Sequence, residues 1–326
     1  MDTKFVFHKG KFLNELVSIL VPVYNRVNLI EETLRSALAQ TYGNFEVLVV
    51  DNASSDGTWE LLQSLAAEDK RLRVFRNDQN LGPVRNWLAC LGHAQGQFSK
   101  ILWSDDLIDP QYLAETVPLL RRADIGFVYS PAQVFDKNNT GPADVLFTRP
   151  GAGIHSTNQY IEGALFGEDY PLSPGCALFR TSDLRRNLLL QVPNRIDSDF
   201  SMHAIGNDLL AFLLTAREYP FFAMTGRALS LFRHHAGSIT SSSSAAKIIL
   251  HYDIARAHFV ETTPLPKAVV ARFNACLWLR LRRFDGRQYR LQNVSDFYTI
   301  QDVVHAKPLA VILEFLRGAI RRLSHQ

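Results

Sequence analysis

Two adjacent carboxylates, Asp105 and Asp106, follow the apolar run 98–103. Acids side by side repel unless a positive charge shares their site. Mg2+ and Mn2+ are hard cations with oxygen ligands, and Mg2+ sites often combine one or two carboxylates with substrate phosphates. The pair therefore points to a divalent cation held jointly with a phosphorylated ligand; the alternative is a helix N-cap ahead of Pro110. Asp51 ends a second apolar run, 45–50. At the rim of a sheet it could accept hydrogen bonds from a base or ribose, or simply form a turn with the Asn, Ser and Gly that follow. Asp56 suits a structural role, capping a helix that starts near Thr58. Arg85 falls in the first turn of a helix after Asn80-Leu81-Gly82, where a cation opposes the helix dipole. A diphosphate would relieve that conflict, and guanidinium matches phosphate geometry; a plain surface arginine is the other reading.

The elements around these residues say how they are held. Residues 16–24 form a short apolar run rich in β-branched side chains, which predicts a buried central strand ending near Pro22. Residues 28–41 carry Glu31 and Glu32 early and Ile30, Leu34, Ala37 and Leu38 at helical spacing, which predicts an amphipathic helix. A strand over 45–50, a helix over 58–67, a strand over 72–75, a helix over 83–93 and a strand over 98–103 follow. This alternation predicts a parallel sheet covered on both faces. Ligands on such sheets bind at the carboxyl ends of the strands, and Tyr24-Asn25, 51–56, 80–85 and Asp105-Asp106 all fall there. The second half is less regular: a helix over 112–122, strands at 126–129, 134–135 and 176–179, a polar loop over 136–153, and a helix over 208–217. A serine-rich stretch, 238–244, would separate this body from a mostly helical end.

Composition bounds the reading. The chain has 326 residues, 47% hydrophobic and 21% charged, ordinary for a globular protein. The net charge of +3 is too small to imply a nucleic-acid partner. Its distribution is uneven: residues 267–326 hold 11 Lys/Arg against 4 Asp/Glu. A basic end on a mildly acidic body suggests contact with an anionic surface such as a phospholipid leaflet, or a solvated helical face with surplus arginine. Cys90, Cys176 and Cys276 are odd in number and far apart, so they indicate buried thiols in a reducing cytoplasm rather than a disulfide framework or zinc site. Residues 1–15 show no signal-peptide pattern, and no apolar run reaches the ~18–20 residues needed to span a bilayer. The expectation is a cytoplasmic protein, peripheral at most on the inner face of the cell membrane.

Residues 16–120 resemble the inverting family 2 glycosyltransferases with a GT-A fold. The resemblance rests on Val17 to Asn25, Val49 to Thr58, Asn80 to Asn86 and Ser104 to Leu107, ordered motifs at family-like spacing. It implies that Pro22 and Tyr24 line the base pocket, Asp51 bonds the nucleobase, Arg85 sits near the donor phosphates and Asp105 approaches the ribose. Asp106 would bind the metal, Mn2+ or Mg2+. Many relatives carry an acid where this chain has Trp103, which leaves Asp106 as the best single ligand. The residues Gly206 to Phe212 resemble the element that supplies the general base at a helix start, so Asp208 is implied as catalytic. Asn207 stands where that element usually has Glu. An N-cap role is the alternative for Asp208, and Asp197 and Asp199 are competing bases. His235, in Phe232 to Ser238, matches a family position beside the diphosphate or metal; a loop histidine bonded to backbone is the alternative.

The resulting expectation is an α/β GT-A (Rossmann-like) domain over 1–240, with a donor half at about 16–120 and an acceptor half at about 121–240. A helical, basic extension would follow over 241–326. The implied function is inverting transfer of a sugar from a nucleoside-diphosphate donor, UDP-sugar favoured, to a hydroxyl of a glycan or lipid-linked oligosaccharide, in cell-surface polysaccharide synthesis. A degenerate relative that binds nucleotide or glycan without turnover is the non-enzyme alternative. A nucleotidyltransferase ranks lower, because no Gly-rich phosphate loop with a following Lys stands near the first strand. The missing G-x-G-x-x-G disfavours a dinucleotide-dependent dehydrogenase.

Overall fold

A computed structural model describes residues 15–136, 143–235, 243–300 and 304–323. Its first half alternates β1 (Val17–Val23), α1 (Ile30–Leu38), β2 (Phe45–Asp51), α2 (Thr58–Glu68), β3 (Leu72–Arg76), α3 (Pro83–His93) and β4 (Phe98–Ile101). Then come β5 (Leu107–Ile108), α4 (Tyr112–Leu120), β6 (Ile125–Tyr129), β7 (Ala132–Phe135), β8 (Val145–Leu146), β9 (Gly153–Ser156) and α5 (Thr157–Phe166). The rest comprises β10 (Ala177–Arg180), α6 (Thr181–Asn187), α7 (Phe200–His203), α8 (Asn207–Ala216), β11 (Phe221–Met224), β12 (Ser230–Arg233), α9 (Ala245–Thr262), α10 (Lys267–Arg283) and α11 (Pro308–Leu323).

The main sheet has eight strands in the order β3-β2-β1-β4-β10-β6-β11-β9. The block β3-β2-β1-β4 is parallel throughout, as is the β6–β11 pair. β10 runs antiparallel between β4 and β6, and β9 is antiparallel to β11. Every residue of β1 and β2 is buried, which is why both read as apolar runs rather than alternations. α1 turns Ile30, Thr33, Leu34 and Ala37 inward. It is shorter than the 28–41 helix that the periodicity predicts, ending at the Ala39 cap.

A second sheet, β5-β12-β7-β8, sits beside the main one. Within the stretch expected to be a loop over 136–153, β8 belongs to this sheet and the first residue of β9 to the main one, while 137–142 fall outside the described residues. β12 pairs antiparallel with β5 through Ser230–Ile108 and Leu231–Leu107. Extending that register carries Arg233 and the residues after it up to Asp105 and Asp106.

Of the serine-rich stretch 238–244, residues up to 242 lie outside the described ones; Ser244 caps α9 by accepting from the Lys247 N–H at 3.2 Å. The helices beyond the boundary expected near 240 contribute to the body. Leu250, Ile254, Ala255 and Phe259 of α9 belong to the same buried cluster as Phe127, Phe179 and Phe212 of the sheet and α8. Gly206, at φ +108°, lets α8 approach so closely that a Cβ there would meet the Ala255 Cβ at 2.8 Å. Buried Asp253 receives both Arg256 (3.0 Å) and Arg280, tying α9 to α10. Among the described residues no helix is long and apolar enough to cross a membrane. All three cysteines are buried and unpaired with one another.

Candidate functional site

Of the polar residues singled out by the sequence, Tyr24, Asp51, Asp105 and Asp106 stand at or just after the carboxyl ends of β1, β2 and β4. At the end of β1, Pro22 is buried within the sheet opposite Val50, whereas Tyr24 is exposed at the rim. Of this pair only Tyr24 has its side chain open to solvent. Asp51, at the end of β2, is fully buried. It accepts from the Ser54 backbone N–H at 3.2 Å and from the Ser54 hydroxyl, and Arg76 Nε lies 3.2 Å away. Asp56 bonds Thr58 N–H (3.0 Å) and Val27 N–H (3.1 Å), a structural tie at the start of α2.

An asparagine lattice next to Asp51 holds the following turn. Asn52 donates to Asn80 Oδ1 at 2.8 Å and accepts from Asn77 and from the Leu81 N–H, at 2.9 and 3.0 Å. Asn86 accepts from Asn77 and donates to the Val50 carbonyl, both at 3.0 Å. This lattice fixes residues 80–86 against β2 and aims the first turn of α3, with Arg85, over the strand ends. Arg85 Nη1 donates to Ser201 Oγ at 2.6 Å, and that hydroxyl donates to Asp199 Oδ1 at 2.6 Å.

Asp105 and Asp106 stand in the turn between β4 and β5. Asp106 is only 7% exposed, and its Oδ1 accepts from the Arg233 N–H at 2.8 Å. Burial, with the neighbouring Asp105 charge, pushes its carboxyl up to about 8. Below it the fully buried Lys100 is pulled down to about 8 by burial; its ammonium donates to the carbonyls of Ile101 (2.9 Å) and Gly175. Asp105 Oδ2 lies 2.8 Å from His235 Nε2 and 3.7 Å from Arg26 Nε. Arg233 donates to the Asp105 carbonyl at 2.7 Å and to Glu32 at 2.9 Å, and its Nη1 is buried without a hydrogen-bond partner among the described residues. Trp103 is committed to packing: it tilts against Trp87 at 4.8 Å and donates to Ser173 Oγ at 2.9 Å.

Among the described residues no three His, Cys, Asp or Glu side chains form a metal cage. The donors that do converge suit a different arrangement. A carboxylate whose charge burial disfavours, with a second carboxylate and an imidazole beside it, fits a divalent cation whose remaining ligands come from a diphosphate. Asp106 would hold that cation, with Asp105 and His235 flanking it.

The three candidate bases differ in their surroundings. Asp197 is 82% exposed and paired with Arg290 at 2.6 Å. Asp199 caps α7, accepting from the Ser201 N–H and hydroxyl and from Gln191; these bonds hold its carboxyl below the usual range. Asp208 lies in the first turn of α8, where Oδ1 accepts from the N–H groups of Gly206 (3.0 Å) and Leu209 (2.8 Å). Its Oδ2 accepts from the Tyr252 hydroxyl of α9 at 2.7 Å. Burial raises its carboxyl to about 6 despite those three bonds. Neighbouring Asn207 is fully buried and donates to the Leu189 carbonyl at 2.7 Å.

Arg233, Lys100, Tyr252 and, in the asparagine lattice, Asn77 were not singled out from the sequence, whereas Asn52, Asn80 and Asn86 lie within the motifs Val49 to Thr58 and Asn80 to Asn86. Arg233 stands in the same motif as His235 and could have been read from its charge; Lys100, Tyr252 and Asn77 carried no local signal.

The glycosyl transferase family 2 sequence model matches residues 18–188, from β1 through α6. The UDP-Glc:alpha-D-GlcNAc-diphosphoundecaprenol beta-1,3-glucosyltransferase WfgD of Escherichia coli is 32% identical over 124 residues, 38% of this chain and 48% of that protein. The chain spans about half or less of the length of the curated relatives it matches. In structure it is similar to S. aureus TarS 1-349 in complex with UDP-GlcNAc, with TM-score 0.61, 19% identity, and 84% of this chain and 74% of that one covered. It is also similar to the mannosyltransferase PcManGT from Pyrobaculum calidifontis, in complex with GDP-Man and Mn2+, with TM-score 0.51 and 19% identity over 94% of this chain and 80% of that one. These likenesses show a GT-A fold, in keeping with the mostly parallel sheet and its antiparallel β10. With more than half of its length matched, the chain belongs to glycosyl transferase family 2.

Proposed function

We propose that the protein transfers one sugar from a nucleoside-diphosphate donor to a hydroxyl of a glycan or lipid-linked acceptor, with inversion, in the synthesis of a cell-surface polysaccharide. A UDP-sugar is the favoured donor, since UDP-Glc is named for the E. coli relative and TarS holds UDP-GlcNAc. The same relative's name carries a diphosphoundecaprenol acceptor, which supports the lipid-linked class.

The observation that carries the reading is the Asp105–Asp106 pair after β4, with Asp106 buried and the pair flanked by Arg26, Arg233 and His235. Tyr24 would face the base above the turn that buried Asp51 holds through Ser54, with Arg85 at the phosphates and Asp105 at the ribose. A divalent cation on Asp106 would supply positive charge to the diphosphate oxygens as the sugar leaves. Asp208 would take the proton from the acceptor hydroxyl while that oxygen bonds the anomeric carbon. The bond from that carbon to the donor phosphate oxygen breaks, and its electron pair leaves with the diphosphate. A carboxyl near 6 is well placed for this task, being mostly ionised at neutral pH yet more basic than an ordinary carboxylate.

Calorimetric titration with UDP, GDP and dTDP, with and without Mn2+, tests the donor site. The expected result is Mn2+-dependent binding of UDP that Asp106→Asn removes. Absence of any nucleotide binding would refute the reading. Nucleotide binding without sugar transfer to any acceptor would favour the binding-protein alternative.

A further inference from the structure

The last described helix, α11, has a face that no other described residue covers. Its attachment runs through one side: Glu314 accepts from Arg272 of α10 at 2.8 Å, and Val311 and Gly318 are half-buried alongside. The opposite side carries Leu309, Ile312, Leu313, Leu316 and Ile320 at the spacing of a single helical stripe. These side chains are exposed by 68, 57, 45, 51 and 66%. Phe315, at 58%, adds to its edge. An isolated exposed leucine is ordinary; a contiguous stripe of large apolar side chains marks an interaction surface.

Charge selects among occupants. Glu314 is the one acid of α11, and it is engaged on the inner side by Arg272 and Arg317. Lys307, Arg317, Arg321 and Arg322 are its basic residues or immediate neighbours. Near the start of α11 a cleft of about 980 Å³ is lined by Arg282, Arg283, Arg287 and His305. There Asp285 is matched by Arg287 at 3.0 Å, and Asp296 accepts from the Gln292 and Asn293 N–H groups at 2.7 Å. An apolar stripe bordered by cations is the pattern of a helix lying in a membrane interface, where the apolar face enters the acyl boundary and the cations meet anionic headgroups. A second copy of this chain would bring the same positive charge against itself.

We infer that α11 is an interfacial anchor that lays the protein on an anionic lipid surface. The anchor is independent of the chemistry at Asp106 and Asp208. It would hold the protein at a membrane without that helix crossing it, because the stripe buries into one leaflet only.

Co-sedimentation of the full chain with vesicles of phosphatidylglycerol and phosphatidylcholine, against phosphatidylcholine alone, tests this. Binding is expected to the anionic vesicles and to weaken with added salt. The double substitution Leu316→Glu, Ile320→Glu should reduce that binding by about tenfold or more, since it removes apolar contact and adds like charge. The pair Arg321→Gln, Arg322→Gln should lower binding to anionic vesicles by about tenfold and leave neutral vesicles unaffected. Glutamate and glutamine are good helix formers, and Leu316 and Ile320 are exposed, so the melting temperature should be unchanged in both variants. Failure of the intact chain to bind, or equal binding by the Glu variant, would overturn the inference. So would a dimer that the Glu variant splits while vesicle binding stays the same.

Discussion

Tyr252→Phe removes one hydroxyl from α9, far in sequence from every motif, and should still move the pH dependence of the reaction. The Tyr252 hydroxyl donates to Asp208 Oδ2 at 2.7 Å, and it stays protonated because burial raises it well above its ordinary range. That bond stabilises the ionised carboxylate, against burial that raises the carboxyl to about 6. A hydrogen bond to a charged group contributes about 1.5–3 kcal/mol, and 1.36 kcal/mol corresponds to about one pKa unit. Its loss should therefore lift Asp208 from about 6 to ~7–8. A general base works only when deprotonated, so activity is lost as pH falls through its pKa, and the acidic limb should shift upward. Near pH 6.5 the ionised fraction would drop from about three quarters to about one quarter or less, while well above pH 8 the rates converge. The assay is kcat/KM for sugar transfer from about pH 5 to 9, with Asp208→Asn as the inactive reference. An acidic limb that superimposes on the parent's would refute the assignment of Asp208 as base, or the role of Tyr252 in holding it.

Three further outcomes follow from the packing. Asp106 has a raised folded-state carboxyl, so its stabilising contribution is complete below its unfolded value and disappears as pH rises toward about 8. In metal-free protein, thermal melts should show the parent losing stability relative to Asp106→Asn between about pH 5 and 9, and a parallel pH dependence would count against it. Gly206→Ala forces a Cβ against Ala255 at a φ of +108° and should cost about 1–3 kcal/mol in denaturant unfolding. Asp253→Ala strips the shared carboxylate from Arg256 and Arg280 and should cost about 3–5 kcal/mol, more than any single exposed ion pair.

How much of this was legible depends on the range over which each interaction acts. β1 and β2 announce themselves because both faces are buried, so each is a continuous apolar run ending in a polar turn. That places Tyr24, Asp51 and Asp105-Asp106 at one edge without further information. Arg233 is different. It reaches Asp106 across 127 positions of sequence, through a β5–β12 pairing that two- and four-residue strands do not advertise. α8 is buried all round, from Leu209 to Ala216, so its periodicity fades although its first-turn acid remains visible. Tyr252 lies in a helix that also packs into the core, so nothing in its local pattern separates a ligand of Asp208 from a packing residue. Trp103 interrupts the expected acidic pattern because it fills space against Trp87 and the 173–175 turn, where a Cβ on Gly175 would meet the indole at 2.6 Å.

The contacts also explain how two dissimilar halves can act on one reaction. The donor-side helix α3 and the acceptor-side segment 199–203 are joined by the chain from Arg85 through Ser201 to Asp199. A guanidinium has five N–H donors in a planar fork. The bond to Ser201 leaves others for phosphate, and it limits how far the arginine can swing. Diphosphate captured by Arg85 would therefore bear on the short helix α7, which leads through Ala204 and Gly206 into Asp208. On the far side, Asp208 is held by Tyr252 of α9, and α9 is held by Asp253 to α10. The candidate base is thus positioned from both directions: from the donor pocket through α7, and from the C-terminal helices through α9. Residues after 240 share a buried cluster with α8, and without α9 the Asp208 carboxylate would lose its tyrosine partner.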